Sequence, residues 1–310
     1  MDIPSDPLHW RIGLVGYGEV GRILAEDLRG RGIARVLACD VKLGTPAEGP
    51  LREHAAAHGV ALAASHAALA AEADFVVSAV TASQAVPVAQ ACAPALREGA
   101  WFLDFNSASP GAKQRAGALV DASGARYVEG AVMTSVPPYR IRVPLLLGGA
   151  GAAALQPLLA TLGFDAHVAS DRLGVASASK MCRSVMIKGL EAMVIESYTA
   201  ARAWGVEDQV LASLAETFPG IDWEQQGSYF FQRVIQHGRR RAEEMREAAE
   251  TVREAGLEPW SAAGTAERQA WVADLADAGV FGDRTAARGN WRAEADRILA
   301  AGKGKQGKRN

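Results

Sequence analysis

The segment RIGLVGYGEVGRILAEDL, residues 11–28, decides the fold. It begins with a short apolar run, continues with Gly16-Tyr17-Gly18-Glu19-Val20-Gly21, and ends with apolar residues at helical spacing. The order strand, glycine turn and helix is typical of the turn that receives the pyrophosphate of a dinucleotide. The first glycine permits the tight turn, the second lets the pyrophosphate approach the backbone, and the third lets the helix pack on the strand. We therefore expect a cofactor to contact all six residues of the turn.

An acidic residue ends the next predicted strand, which covers residues 34–39. This residue, Asp40, follows Gly21 at the spacing at which an acid accepts hydrogen bonds from the adenosine ribose hydroxyls. A carboxylate there also repels the additional phosphate of NADP. The alternative interpretation is a surface aspartate that merely ends a strand. Because the glycine turn precedes it, we favour the ribose role and expect NAD as the cofactor, with NADP as the alternative.

Strands and helices continue to alternate as far as residue 168. The further predicted strands are 60–63, 74–80, 101–104, 127–132, 143–147 and 164–168. This alternation predicts an α/β fold, a Rossmann-type doubly wound parallel sheet, whose ligand crevice lies beyond the carboxyl ends of the strands. We expect Thr81 and Asn106 to bind the cofactor there and Ser107 to bind the substrate. The alternative role for such side chains is helix capping, which Ser109 before Pro110 fits well.

Residues 174–204 predict one long helix, free of proline and ended by Gly205. It is apolar nearly all round, which is typical of a helix inside a protein. Four polar residues nevertheless recur on one side of it: Lys180, Ser184, Lys188 and Glu191. Buried charges are costly unless they are paired or used, so we expect this polar stripe to face a cleft.

Strand signals stop after residue 204, and only helical periodicity continues. The predicted helices are 206–217, 222–237, 239–255, 262–278 and 284–301. We expect domains at 1–170 and 205–301, the first binding NAD(P) and the second all-helical, joined by an interdomain helix in 171–204. The charged run at 239–244 is typical of a solvated helix face, and the basic, glycine-rich tail at 302–310 is typical of a disordered segment.

Composition excludes several classes of protein. A chain of 310 residues is long enough for two domains, and a net charge of −2 gives no electrostatic case for binding nucleic acid or a membrane surface. The three cysteines show neither a disulfide framework nor zinc-ligand spacing, so no metal is expected. The sequence contains no secretory signal pattern and no membrane-spanning apolar run, and we expect a soluble, cytoplasmic protein.

Together these segments resemble the β-hydroxyacid dehydrogenase superfamily, which includes 3-hydroxyisobutyrate dehydrogenase and 6-phosphogluconate dehydrogenase. The resemblance rests on the glycine turn, on the segment 104–110 (DFNSASP), and on Gly174 six positions before Lys180. The run 237–245 (HGRRRAEEM) looks most like a branch whose helical half is a phosphogluconate-dehydrogenase-like domain of unknown function. The resemblance implies a homodimer in which the long helix and the helical half form the interface.

Two segments depart from the family pattern. The family's substrate loop, Asp-Ala-Pro-Val-Ser-Gly-Gly, is replaced here by a loop that ends in Met133, Thr134 and Ser135. Ser184 stands where the family has asparagine, four residues after the lysine. A shifted alignment would match the segment 188–191 (KGLE) to the Asn-Gly-Ile-Glu of 6-phosphogluconate dehydrogenase, but it leaves Ser184 in the lysine's place. We therefore prefer the alignment anchored by Gly174.

The resemblance implies hydride transfer between a nicotinamide and a hydroxyl or carbonyl substrate, a β-hydroxy acid or a related compound. Lys180 would then be the general acid/base, because apolar neighbours on the helix disfavour its charged form. The expected substrate-binding residues are Ser107, Met133, Thr134, Ser135, Arg183, Ser184 and Lys188. Two alternatives stay open: an imine reductase of the same build, which generally lacks the lysine, and an NAD-binding regulatory protein without catalysis.

Overall fold

The chain divides into two compact units, Met1–Met181 and Cys182–Asn310. The computed structural model describes residues 3–282 and 289–306. The division falls within the helix Val175–Trp204, which the sequence predicted as the connection between two domains. Each unit has its own apolar core, as two domains of this size require.

The first unit is built on a sheet that has eight strands within the described residues. They are β1 Arg11–Val15, β2 Arg35–Cys39, β3 Ala61–Leu62, β4 Phe75–Ser78, β5 Trp101–Asp104, β6 Arg126–Val132, β7 Leu145–Gly148 and β8 Ala166–Ser170. Their order across the sheet is β3-β2-β1-β4-β5-β6-β7-β8. The order changes direction beside β1, so the carboxyl ends of β1 and β4 border the crevice expected of a doubly wound sheet.

One strand pair differs from the predicted parallel sheet. Every neighbouring pair is parallel except β6 and β7, which run antiparallel with Glu129 opposite Gly148. Parallel neighbours need a crossover of a dozen or more residues, usually a helix, whereas antiparallel neighbours accept a short link. The link between β6 and β7 is residues 133–144 and contains two short helical turns, Val136–Tyr139 and Arg140–Arg142, in place of the longer helix that usually forms a parallel crossover.

Helices cover the sheet of the first unit and bury its apolar strands. They are α1 Glu19–Gly30, α2 Gly49–His58, α3 His66–Glu72, α4 Ala85–Cys92, α5 Pro110–Asp121, α6 Val136–Tyr139 and α7 Ala152–Thr161. Strand residues such as Ile12, Phe75 and Leu103 are fully buried. Near-continuous apolar strands of this kind are expected where helices pack on both faces of a parallel sheet. Ser109 caps α5 by accepting a hydrogen bond from Ala112 N, as the sequence predicts.

The second unit consists of helices alone within the described residues. They are the greater part of α8 Val175–Trp204, α9 Glu207–Thr217, α10 Trp223–Glu254, α11 Trp260–Asp277 and α12 Trp291–Gln306. Their core includes the buried rings of Tyr198, Phe231 and Trp291. None of the described helices combines the length and the apolar character that crossing a membrane requires.

Two of the predicted helix boundaries are wrong. The predicted stop at Gly238 lies inside α10, a single helix of 32 residues. A Cβ atom on Gly238 would lie 2.8 Å from Gln269 O, so this glycine permits close packing of α10 on α11 rather than ending the helix. The last helix begins at Trp291 and continues to Gln306, into the tail expected to be disordered; residues 283–288 and 307–310 lie outside the described part.

Candidate active site

The glycine turn has the geometry that the motif requires. Gly16 has φ +89°, and a Cβ atom on it would lie 2.3 Å from Ala79 O. A Cβ atom on Gly21 would lie 2.0 Å from Gly16 O. Gly18 precedes α1 and has nothing within 4 Å of its Cβ position. The first and third glycines are therefore required by packing, while the second leaves the backbone at the start of α1 accessible.

The amino end of α1 is suited to an anion. Glu19 and Val20 are its first residues, and the first amides of a helix have no partner within the helix. The same helix end carries the positive end of the helix dipole, which attracts phosphate. The residues present therefore fit the pyrophosphate of NAD(P).

Asp40 lies directly after β2 with its carboxylate held by the backbone. Its Oδ2 accepts a hydrogen bond from Tyr17 N at 2.8 Å, and its Oδ1 accepts one from Lys42 N at 2.9 Å. One donor on each oxygen leaves further acceptor capacity for ribose hydroxyls. The Tyr17 side chain, in contrast, is fully buried, so only the backbone of Tyr17 is available to a cofactor at this turn.

A buried network fixes the loop that follows β5. The carboxylate of Asp104 accepts hydrogen bonds from Lys113 Nζ at 2.9 Å, from Asn106 N at 2.8 Å and from Tyr127 Oη at 2.7 Å. Lys113 and Asp104 are both completely buried, and a buried charge is tolerated when it is paired in this way. Burial raises the pKa of Tyr127 well above its ordinary value, which keeps its hydroxyl protonated as a donor.

Asn106 connects the ends of two strands. Its Oδ1 accepts a hydrogen bond from Val80 N at 2.6 Å, and its Nδ2 donates to Ser78 Oγ at 2.9 Å. Its side chain is thus committed to the scaffold at the crevice edge. Thr81 is exposed and begins the short turn Ala82–Gln84 beside it. The roles of both residues toward a cofactor stay predictions.

The structure brings two of the predicted site residues into direct contact. Lys180 Nζ, on the second turn of α8, donates a hydrogen bond to Ser107 Oγ at 2.5 Å. Both residues are half-buried, and Met181 beside the lysine is buried. An ammonium and a hydroxyl in contact at the end of β5 form a pair that can hold a substrate oxygen and exchange a proton with it.

Glu129 determines where α8 begins, a role that the sequence pattern did not indicate. This carboxylate lies on β6 and accepts hydrogen bonds from the amides of Gly174 at 2.7 Å, Ala176 at 3.2 Å and Ser177 at 3.3 Å. The Ser177 hydroxyl donates to it as well. Glu129 is fully buried, and a Cβ atom on Gly148 would lie 2.3 Å from its Oε1. The sequence signal that could have indicated this role is the presence of one acidic residue in the otherwise apolar predicted strand 127–132.

A carboxylate at a helix amino end satisfies amides that otherwise have no partner and interacts favourably with the helix dipole. Glu129 thus fixes the first turn of α8, and Lys180 follows one turn after Ser177 on the same helix. The orientation of the lysine toward Ser107 therefore depends on an acid that itself lies outside the Lys180–Ser107 pair.

The three predicted residues of the substrate loop share one segment after β6. Met133 N donates to Pro144 O at 3.0 Å, which closes the base of the loop. Met133 and Ser135 are half-buried, and Thr134 is exposed. Ser135 precedes α6 without capping it through its side chain. Thr134 thus offers an exposed hydroxyl where the family has bare glycine backbone.

In the second unit, the side chain of Lys188 is buried and forms an ion pair. Its Nζ donates to Glu244 of α10, and burial lowers its pKa. Glu191 is likewise buried and pairs with Arg241, whose Nε lies 2.9 Å from Glu191 Oε2. The expectation that this part of the polar stripe faces a cleft is therefore wrong for Lys188 and Glu191. Lys188 is paired with Glu244 in the structure, and its role toward a substrate stays a prediction.

The other two residues predicted on this stretch of α8 differ in exposure. Arg183 is exposed, whereas Ser184 is buried with 7% of its surface accessible. Their roles toward a substrate stay predictions.

Comparison with known families identifies both parts of the chain. Residues 11–163 match the NAD binding domain of 6-phosphogluconate dehydrogenase. Residues 201–272 match a domain of unknown function, DUF1932. NAD(P) is accordingly the cofactor of the first unit, as its glycine turn predicts.

Solved structures extend the likeness over most of the chain. A conserved hypothetical protein from Sinorhizobium meliloti 1021 is 40% identical, with a TM-score of 0.70, over 84% of this chain and 87% of its own. A conserved protein of unknown function, described as structurally similar to 3-hydroxyacid dehydrogenases, is 28% identical, with a TM-score of 0.66, over 86% and 99%. Mycobacterium tuberculosis 3-hydroxyisobutyrate dehydrogenase shares the fold, with 21% identity and a TM-score of 0.68 over 87% and 96%.

Proposed function

Because the chain belongs to the β-hydroxyacid dehydrogenase superfamily, in the branch with a helical domain of unknown function, we propose that it oxidises a hydroxyl or reduces a carbonyl with NAD(P). The substrate class is a β-hydroxy acid or a related compound. The contact between Lys180 Nζ and Ser107 Oγ carries this proposal, since it joins a proton-transfer group to a hydroxyl at the carboxyl edge of the sheet. The presence of the lysine favours this activity over imine reduction.

In the proposed reaction, Lys180 transfers the proton and Ser107 orients the substrate oxygen. The bound nicotinamide supplies or accepts the hydride. Neutral Lys180 takes the proton of the substrate hydroxyl during oxidation, and its ammonium form returns that proton to the carbonyl oxygen during reduction. Ser107 orients the same oxygen through a hydrogen bond. The Asp104 network and Glu129 keep the two groups in place.

A substrate screen tests the proposal directly. Absorbance of the reduced nicotinamide is followed with hydroxy acids, ketones and cyclic imines in both reaction directions. Turnover of hydroxy acids or their ketones is the expected result. Turnover of imines alone would establish the imine reductase alternative, and tight cofactor binding without any turnover would establish the regulatory alternative.

We predict that the enzyme prefers NAD(H) to NADP(H) because of Asp40. The extra phosphate of NADP would meet like-charge repulsion of roughly 1–3 kcal/mol at short range in a partly solvated site. Asp40→Ser is expected to reduce the preference, measured as the ratio of kcat/KM for the two cofactors. The exposed Asp165, which contacts His167, gives the matched control Asp165→Ser. An unchanged ratio in Asp40→Ser would show that the acid does not select the cofactor.

We propose further that the protein is a homodimer. Large apolar side chains of the second unit are exposed on the single chain: Met186 at 74%, Met193 at 62%, Trp204 at 84% and Trp260 at 81%. Exposed apolar surface of this kind is typical of association sites. Light scattering at micromolar concentration is expected to give twice the chain mass, and Met193→Asp to lower it. A fully active monomer would contradict the proposal.

A further inference from the structure

Three potential metal ligands meet between α1 and α2, in a region to which the proposed reaction assigns no role. Glu26 of α1 and His54 and His58 of α2 are all half-buried, and their donor atoms lie within 4.8 Å of one another. The two histidines are four residues apart on one helix and therefore share a face. Two imidazoles at this spacing with one carboxylate are a ligand set that zinc uses in proteins.

Two of the three potential ligands are held by hydrogen bonds to neighbouring side chains. His54 Nδ1 hydrogen-bonds the Tyr17 hydroxyl at 2.8 Å, and Glu26 Oε2 accepts from Arg140 Nη2 at 2.6 Å. Metal-binding histidines and carboxylates are typically held in this way through their outer atoms. His54 Nε2 and Glu26 Oε1 then face each other, 2.9 Å apart. Among the described residues, none hydrogen-bonds the His58 ring. That ring stacks on His54 with 4.4 Å between centroids, so it must turn out of the stack to direct a nitrogen at an ion held by His54 and Glu26.

We propose that Glu26 Oε1, His54 Nε2 and a ring nitrogen of His58 bind a zinc-type divalent ion. The ion replaces the proton shared by His54 and Glu26. Zinc bonds to nitrogen and oxygen of 2.0–2.2 Å place neighbouring ligand atoms about 3.4 Å apart in a tetrahedral site. The His54–Glu26 pair therefore separates by only about half an ångström on binding. Three protein ligands leave one position for water.

Such an ion would tie α1 to α2 and, through the Tyr17 hydroxyl, support the glycine turn. It would take no part in hydride transfer, so the proposal is independent of the proposed activity. Its consequence is thermodynamic: a ligand that binds only the folded chain raises the free energy of unfolding.

Zinc binding is measured on the metal-stripped, tag-free full chain by calorimetry, and Co²⁺ is used as a spectroscopic substitute. We expect one ion per chain and a higher Tm with zinc, because an ion that binds only the folded chain stabilises it. A chain that shows no saturable uptake, or a cobalt spectrum with a thiolate band, would overturn the assignment.

Variants test the ligand set. His58→Ala is expected to weaken zinc binding at least tenfold, and Tyr17→Phe, behind His54, roughly 10- to 100-fold. His167→Ala, at an exposed histidine outside the cluster, should leave binding unchanged. His58→Gln provides a second variant if circular dichroism shows that His58→Ala is unfolded. Parental affinity in a folded His58 variant would contradict the proposal.

Discussion

Replacement of Lys180 by alanine is expected to lower turnover roughly 10²- to 10⁴-fold, the usual contribution of a general acid/base. NAD(P) affinity should stay close to the parental value, because the expected phosphate site is the glycine turn at the start of α1. Lys180→Arg should not restore turnover, since a guanidinium does not release its proton near neutral pH. Steady-state kinetics on the substrate identified by the screen, together with a cofactor titration, measure both quantities.

Ser179 provides the control for this experiment. It is the exposed neighbour of Lys180, and its hydroxyl donates to Val175 O, one turn earlier in α8. Ser179→Ala should therefore leave turnover within a few-fold of the parent. If Lys180→Ala also stays within a few-fold, the acid/base assignment is wrong.

Replacement of Arg241 by methionine is expected to destabilise the protein by roughly 3–5 kcal/mol. Arg241 and Glu191 are both buried, and Gln269 Nε2 lies 3.5 Å from the same carboxylate. Removing the guanidinium leaves the buried Glu191 carboxylate without its ion-pair partner, which costs far more than the net value of the pair. Urea denaturation of the full chain, followed by helical circular dichroism, measures the change in the free energy of unfolding.

The same helix supplies a matched control. Arg239 is exposed and pairs with Asp274 at 2.7 Å and Asp277 at 2.6 Å. Arg239→Met should lower the free energy of unfolding far less than Arg241→Met does, because exposed ion pairs contribute little to stability. The double variant Glu191→Leu/Arg241→Met should regain much of the loss. Equal effects of Arg239→Met and Arg241→Met would show that burial does not govern this pair.

The strands of the first unit could be predicted from the sequence because each is encoded by a few consecutive residues. The glycine turn lies within six consecutive residues, and each strand is a short apolar run bounded by turns. The structure confirms strands at every predicted position, with ends shifted by one or two residues at most of them. The reversal of β7 escaped prediction, because apolar runs carry no information on strand direction.

Pairing between distant segments could not be predicted from such patterns. Lys188 pairs with Glu244, which lies 56 residues later in the chain. Glu129 accepts hydrogen bonds from residues that are 45 to 48 positions away. The run at 239–244 illustrates the difficulty, since Arg239 is exposed while Arg241, two positions on, is buried. The charge pattern of one helix does not show which side a neighbouring helix will cover.

The internal carboxylate at the start of α8 also limits how this protein recognises a substrate. Helix amino ends are common receptors for acids, because their amides and dipole attract negative charge. Here the amides of Gly174, Ala176 and Ser177 are already saturated by Glu129. If Lys180 has the proposed role, an acidic substrate would find these amides already bonded to Glu129 and its charge opposed by that carboxylate. Selection for an acid then depends on side chains, and the departure from the family's glycine loop is where such selection can differ.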